Sequence, residues 1–361
     1  GGGGGGGGGI NNANPNKGTQ QNQDCSAVPY ALHRALYDKV LRRSNKPERR
    51  YKIYTPDGYS STTPSAVVVM LHGWSQGAGV CDGDRFLTDE WKAVADTHNY
   101  VLVAPDGLDE GDGSEFPKSW AVPGSRNGRG QNGDVTSCDR FKSGAPDHCF
   151  PSCNGCGGNR CGWAQCQDDD VQFFVDLVAD LRNYICMNSA RVYVYGYSAG
   201  GMMAWALGQD QRSAPLLAGI GAIQGLPMWD YLLGKGVPRS RKLPVIGIYG
   251  SRDCSVPPGD GRDQFNEVCD GDGYYYVDAW HQHRLWAEDH SCPVTTSKPE
   301  ARFGYNIPGR NEISCSSHCN PSSGPPASVD CRNNDGHGKE PWHLDAALKF
   351  FDDHARADGL L

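Results

Sequence analysis

The stretch Arg191-Val192-Tyr193-Val194-Tyr195-Gly196-Tyr197-Ser198-Ala199-Gly200-Gly201-Met202-Met203-Ala204-Trp205-Ala206-Leu207 decides how the chain is read. A β-branched and aromatic run is a strand; the small-residue pentapeptide Gly196–Gly200 is a sharp turn; the apolar run beyond it is a helix. A serine in that turn needs neighbours without bulky side chains, because strand and helix must approach closely around it. The turn lifts the Ser198 hydroxyl above a sheet edge and aims the backbone N–H of Ala199 at the place where an oxyanion would form. The other reading is a Gly-rich connection with a solvated serine. The strand–turn–helix context favours a nucleophile.

Outward from the turn, buried strands and helices alternate. Ala66-Val67-Val68-Val69-Met70-Leu71, Tyr100–Ala104 and Pro244–Gly250 are continuous apolar runs, the pattern of strands covered on both faces. Arg50–Thr55 is a further strand. Arg85–His98, Asp169–Ile185, Val277–His290 and Pro341–Ala357 read as helices. In the second, Val171, Phe174, Val178 and Leu181 recur at helical spacing. The pattern predicts a mostly parallel sheet with helices on both faces. Residues 1–24, rich in Gly, Asn and Gln, are expected to form a disordered tail. Residues 25–361 are expected to form a single catalytic domain with a Cys-rich insert over about 108–167. The basic stretch Lys39–Arg50 (Arg42, Arg43, Lys46, Arg49, Arg50) is read as a solvated helix and entry strand.

A nucleophilic serine needs a base, and the base an orienting acid; on this architecture they follow in the order serine, acid, histidine. Asp253, in the loop after the Pro244–Tyr249 strand, is the favoured acid over Asp260 and Asp263. His337, flanked by Gly336 and Gly338 in a loop before the last helix, is favoured as base over the helix-borne His343. A second oxyanion donor is expected from Trp74 or Ser75 after the Gly73 turn, with His72 as a supporting residue. Trp120, Trp163, Trp74 and Tyr197 are candidates to contact substrate, with plain packing as the competing reading. His281 and His283 read as surface or packing residues.

A net charge of −8 without a large basic patch argues against nucleic acid, and no apolar run is long enough to span a membrane. Fifteen cysteines, many in loop-like sequence, indicate a disulfide-stapled extracellular protein in which at least one thiol is free or pairs with another chain. The chain is therefore expected to be a mature or trimmed secreted protein. Cys153-x2-Cys156 has zinc-like spacing, but the following cysteines fit disulfides better. The repeated Cys-Asp-Gly-Asp, at Cys81 and Cys269, reads as tight acidic turns rather than calcium loops.

Arg50-Tyr51-x3-Pro56-x-Gly58-Tyr59, Val68–Gln76, Asp169-Asp170-Val171-x-Phe173 with Cys186, the Gly196–Met203 turn, and Gly250-x2-Asp253-x2-Val256-Pro257 with Gly336-His337 together resemble the secreted feruloyl esterase and polyhydroxybutyrate depolymerase family. The resemblance implies an α/β-hydrolase fold and a Ser198, Asp253, His337 triad. It implies esterase chemistry on hydroxycinnamoyl esters of cell-wall polysaccharide, with polyhydroxybutyrate or acetylxylan as the alternative substrates; no cofactor or metal is needed, and a monomer is expected. Gly338-Lys339-Glu340-Pro341-Trp342 replaces the tryptophan-proline expected after the base. A non-catalytic binding protein on the same scaffold is the reading from a different class, and a peptidase a further one. We also expect Cys254, beside Asp253, and Cys331, near His337, to staple the acid and base loops, together or through other cysteines.

Overall fold

The computed structural model describes residues 25–33, 35–74, 86–109, 118–123, 125, 168–228, 243–263, 265–267, 269, 274–290, 303–319 and 326–354. Its strands are β1 (Leu36–Leu41), β2 (Arg49–Tyr54), β3 (Ser65–Leu71), β4 (Tyr100–Pro105), β5 (Leu108–Asp109), β6 (Lys118–Ser119), β7 (Met187–Tyr197), β8 (Gly219–Ile223), β9 (Val245–Gly250), β10 (Phe265–Glu267), β11 (Tyr275–Val277), β12 (Phe303–Tyr305), β13 (Ser314–Ser317) and β14 (Ser328–Asn333). The helices are α1 (Asp89–His98), α2 (Asp170–Leu181), α3 (Ala199–Gln209), α4 (Ala279–Asp289) and α5 (Pro341–Asp353). Ten strands form one sheet in the order β1-β2-β4-β3-β7-β8-β9-β14-β13-β12. Pairing is parallel from β4 through β14 and antiparallel at both ends.

The unbroken apolar strands follow from two covered faces. Along β3, Val67, Val69 and Leu71 enter one core with Phe173 and Leu177 of α2, Met202 and Trp205 of α3 and Trp286 of α4. Ala66, Val68 and Met70 enter the other, with Trp91 of α1 and Leu344, Leu348 and Phe351 of α5. Each strand thus places alternate side chains in opposite cores. Its C-terminal edge is where the connecting turns meet. The turns after β3, β7, β8, β9 and β14, five adjacent strands, all open there, the position where sheets of this kind carry their sites.

The basic stretch differs from the sequence reading. Residues 36–41 form an edge strand paired antiparallel with β2, not a helix. Arg49 is fully buried and Arg43 is largely covered, both ion-paired with Asp168. A second ionic cluster joins α1 to α5. His98 at the end of α1 lies 2.8 Å from Asp345 and 3.5 Å from Asp352. Arg310 and Lys349 also pair with Asp345, at 2.6 and 2.9 Å. Hydrogen bonding to Asp352 and Asp345 raises the His98 pKa above 6.5 despite burial. At Asp345 burial acts upward, but the bonds from His98, Lys349 and Arg310 outweigh it and hold the carboxyl at about 2.

The signs fix a pH window. His98, raised on folding, stabilises fully below its unfolded value near 6.5 and loses that contribution as pH rises through its folded pKa. Asp345, lowered on folding, stabilises above 3.8 and loses its contribution as pH falls toward 2. The cluster therefore stabilises most between those limits. Thermal midpoints measured from pH 5 to 9 should show wild type losing its advantage over His98→Gln as pH rises above 6.5. A constant difference across that range would rule the linkage out.

Three disulfides join described residues: Cys25–Cys186, Cys254–Cys269 and Cys315–Cys331. The acid-loop and base-strand cysteines are therefore each stapled through another cysteine, and the direct link between Cys254 and Cys331 is corrected. Among the described residues no helix is long and apolar enough to cross a membrane. The 1–24 tail, most of the Cys-rich insert with Cys153 and Cys156, the Cys81 acidic turn and Asp270–Asp272 of the second one, Ser75 and Trp163 lie outside the described residues.

Candidate active site

Ser198 follows the last residue of β7 and precedes α3, with φ 53° and ψ −121°. A non-glycine residue in that region is strained and persists only where its surroundings hold it. Its N–H donates to the Ile223 carbonyl at 2.8 Å, and its carbonyl accepts the Met202 N–H at 3.0 Å. The close approach that the sequence suggested is real. A Cβ on Gly200 would sit 2.1 Å from the Leu71 carbonyl oxygen, and one on Gly196 would sit 2.0 Å from the Gly200 oxygen. No side chain fits at either position, so β3, β7 and α3 converge on backbone alone.

The turn after β14 brings His337 onto the serine. The Ser198 hydroxyl donates to His337 Nε2 at 2.9 Å, and His337 Nδ1–H donates to Asp253 Oδ2 at 2.7 Å. The acceptor at Nδ1–H fixes the tautomer and leaves Nε2 as the basic nitrogen. Asp253 is itself held. Its side chain is fully buried, and Oδ1 accepts the N–H groups of Ser255 and Val256 at 2.8 and 2.9 Å. The acid and base turns lie against each other: Ser251 N–H donates to Asn333 O, and Arg252 N–H to Asp335 O. Gln224, after β8, donates its amide to the Gly338 carbonyl at 2.9 Å. Tyr197 stands beside the imidazole with ring centroids 5.3 Å apart. Burial, with the Asp253 charge adding, pushes the Tyr197 phenol up to about 12.

The competing histidines take other places. His343, in the first turn of α5, accepts the Glu340 N–H at Nδ1, so that nitrogen carries no proton. Burial, with Arg310 adding, lowers its pKa to about 3. His72 donates from Nδ1 to Gly73 O at 2.6 Å and accepts the Gly107 N–H at Nε2 at 2.8 Å. Both ring nitrogens thus pin the turn after β3. His283 is buried in α4, between Ser328 and Tyr249. Asp260 and Asp263 are exposed.

The residues expected to face an oxyanion lie at the start of α3 and on the Gly73 turn. Ala199 is the first residue of α3, where first-turn amides and the helix dipole favour negative charge. A Cβ on Gly73 would lie 3.0 Å from Ser198 Cβ, which places the backbone leading into Trp74 against Ser198. Trp74 is the exposed aromatic at this edge, at 37%. Trp120 corrects the expectation of a substrate-facing indole. It is 1% exposed, donates Nε1–H to the His72 carbonyl at 2.7 Å and packs on the His72 ring. It supports the turn from behind. Lys339 and Gln224 around the base loop escaped the sequence reading, since their partners lie far away along the chain.

The sheet order, the strained serine turn and the edge on which the loops meet define the α/β-hydrolase fold. No family model matches the chain. It is similar to "Feruloyl esterase B" of Piromyces equi, 27% identical over an alignment of 187 residues that covers 49% of this chain and 31% of that protein. The match thus spans less than a third of the relative's length, and it agrees with the family resemblance carried by the sequence segments. Solved structures with the same general likeness include an acetyl xylan esterase from Aspergillus awamori (12% identity, 88% of this chain and 99% of that chain, TM-score 0.49). A poly(3-hydroxybutyrate) depolymerase from Bordetella parapertussis (20% identity, 72% and 79%, TM-score 0.41) is another.

Proposed function

We propose that the protein is a secreted serine hydrolase of carboxylic esters, with hydroxycinnamoyl esters of cell-wall polysaccharide as its substrate class. The unbroken hydrogen-bonded line from Ser198 through His337 to buried Asp253 carries the proposal. In this reading Ser198 Oγ attacks the ester carbonyl while His337 Nε2 takes its proton. The resulting imidazolium is stabilised by Asp253 and returns the proton to the departing alcohol. The Ala199 N–H and that of Trp74 or Ser75 receive the tetrahedral oxyanion. Water, deprotonated by the same imidazole, then releases the acid and restores the serine. The paired cysteines support an oxidising, extracellular setting, and the relative's name supports the feruloyl ester.

Hydrolysis of p-nitrophenyl acetate, methyl ferulate, acetylated xylan and short-chain polyhydroxybutyrate by the wild-type protein tests this. A kcat/KM for methyl ferulate at least tenfold above that for the other natural-type esters is expected. Preference for acetylated xylan or polyester would retain the chemistry and replace the substrate. Inertness toward the activated ester would put the binding-scaffold reading first.

A further inference from the structure

His337 is borne on a loop, so the geometry of its Nε2 depends on whatever holds residues 336–340. Gln224 grips the carbonyl of Gly338. The next residue, Lys339, turns back toward the other core. Its ammonium lies 3.8 Å from the centroid of the Phe86 ring, with Trp91 and Tyr197 at 5.8 and 5.9 Å. Phe86 is fully buried and Trp91 is 4% exposed, and the two rings pack edge to face 5.0 Å apart. A cation over desolvated aromatic faces is held more strongly than one at an exposed site. Tyr197, the third ring, directly precedes the nucleophile and also touches the imidazole. The ammonium therefore connects the base loop, the residues leading into α1 and the strand bearing Ser198 at one point.

We propose that Lys339 is a positioning residue. Its ammonium, seated among Phe86, Trp91 and Tyr197, holds the base loop so that His337 Nε2 meets the Ser198 hydroxyl. The inference rests on the serine-hydrolase reading above and deepens it. Lys339 touches no reacting atom. Its loss should misplace the base in the transition state while leaving ester binding alone, so the effect belongs in kcat.

The test measures kcat, KM and thermal midpoint for wild type, Lys339→Ala, Lys339→Met, Lys339→Arg and Ser198→Ala on p-nitrophenyl acetate. Lys339→Met keeps an aliphatic stem without the charge, and Lys339→Arg keeps a cation able to lie on the rings. Alanine and methionine should lower kcat about tenfold with KM within about twofold, the size of one desolvated cation–π contact, and arginine should restore most of the loss. If the alanine variant does not fold, the methionine and arginine variants carry the comparison. A methionine variant with wild-type kcat, a loss confined to KM, or an arginine variant no better than methionine would overturn the clamp. Turnover lost in Ser198→Ala but intact in Lys339→Met overturns the clamp alone. Turnover in Ser198→Ala within about tenfold of wild type overturns the hydrolase reading, and the clamp with it.

Discussion

Ser198→Ala is expected to lower kcat on p-nitrophenyl acetate by about a thousandfold or more, while the protein stays folded and its KM changes little. The substitution removes one oxygen. The strained φ of 53° remains, and alanine tolerates it no worse than serine, so the turn and the packing of Gly196 and Gly200 are preserved. What disappears is the acceptor of the acyl group and the donor to His337 Nε2. The oxyanion amides and the binding surface persist, so residual hydrolysis above background is expected through direct attack of water. In the proposed triad the three residues act as a unit. His337→Ala should therefore cost nearly as much as Ser198→Ala, and the double variant little more than either alone. An alanine variant within about tenfold of wild type would place the nucleophile elsewhere, and additive losses in the double variant would show that Ser198 and His337 act independently.

The serine turn, the apolar strands and the helices were legible because each is a local pattern. A strand buried on both faces has no choice but an apolar run, as Val67–Leu71 shows, and a serine turn between strand and helix has no choice but small neighbours. Asp253 and His337 could be ranked from their loops because the order of the sheet fixes where loops open. Other elements were hidden for physical reasons. β1 alternates exposed and partly covered residues along a sheet edge, so its charges resemble those of a solvated helix. β8 is short and glycine-bearing, and at Gly219 a Cβ would crowd the Pro244 carbonyl oxygen and the Tyr193 ring, both at 3.3 Å. β14 is polar yet central: Ser328 bonds His283, and Asp330 pairs with Arg332, so its polar groups are satisfied inside the sheet. The disulfide partners and the Phe86 ring beneath Lys339 are contacts between distant segments, which no local window contains.

Arg49 is the clearest of these hidden features, and its removal should have the largest effect on stability. The guanidinium is 1% exposed. One nitrogen lies 2.6 Å from Asp170 Oδ1 and 3.4 Å from Asp168, two others donate to the Asp106 carbonyl at 3.2 and 3.0 Å, and the group lies 3.9 Å from the Phe173 ring centroid. Asp168 has further partners in Arg43 and Lys46, whereas the other ion-pair partner, Asp170, is buried and is left with the Ala121 N–H. Arg49→Met keeps volume but strands that carboxylate. Breaking one side of a buried pair costs about 3–5 kcal/mol, far above the value of an exposed one. For a domain of this size that is a fall in thermal midpoint on the order of 10 °C. Replacing both charges should cost less than replacing one, because the penalty lies in the unpaired group. Arg49→Met/Asp170→Asn is accordingly expected to unfold at higher urea than Arg49→Met alone. The loss should also reach catalysis. Asp170 holds Ala121, the neighbouring Trp120 holds the His72 carbonyl, and His72 pins the turn that leads to Trp74. A single variant within 1 kcal/mol of wild type in urea unfolding would show that water or the neighbouring cations already satisfy Asp170, and the buried network would then have no structural consequence for the oxyanion turn.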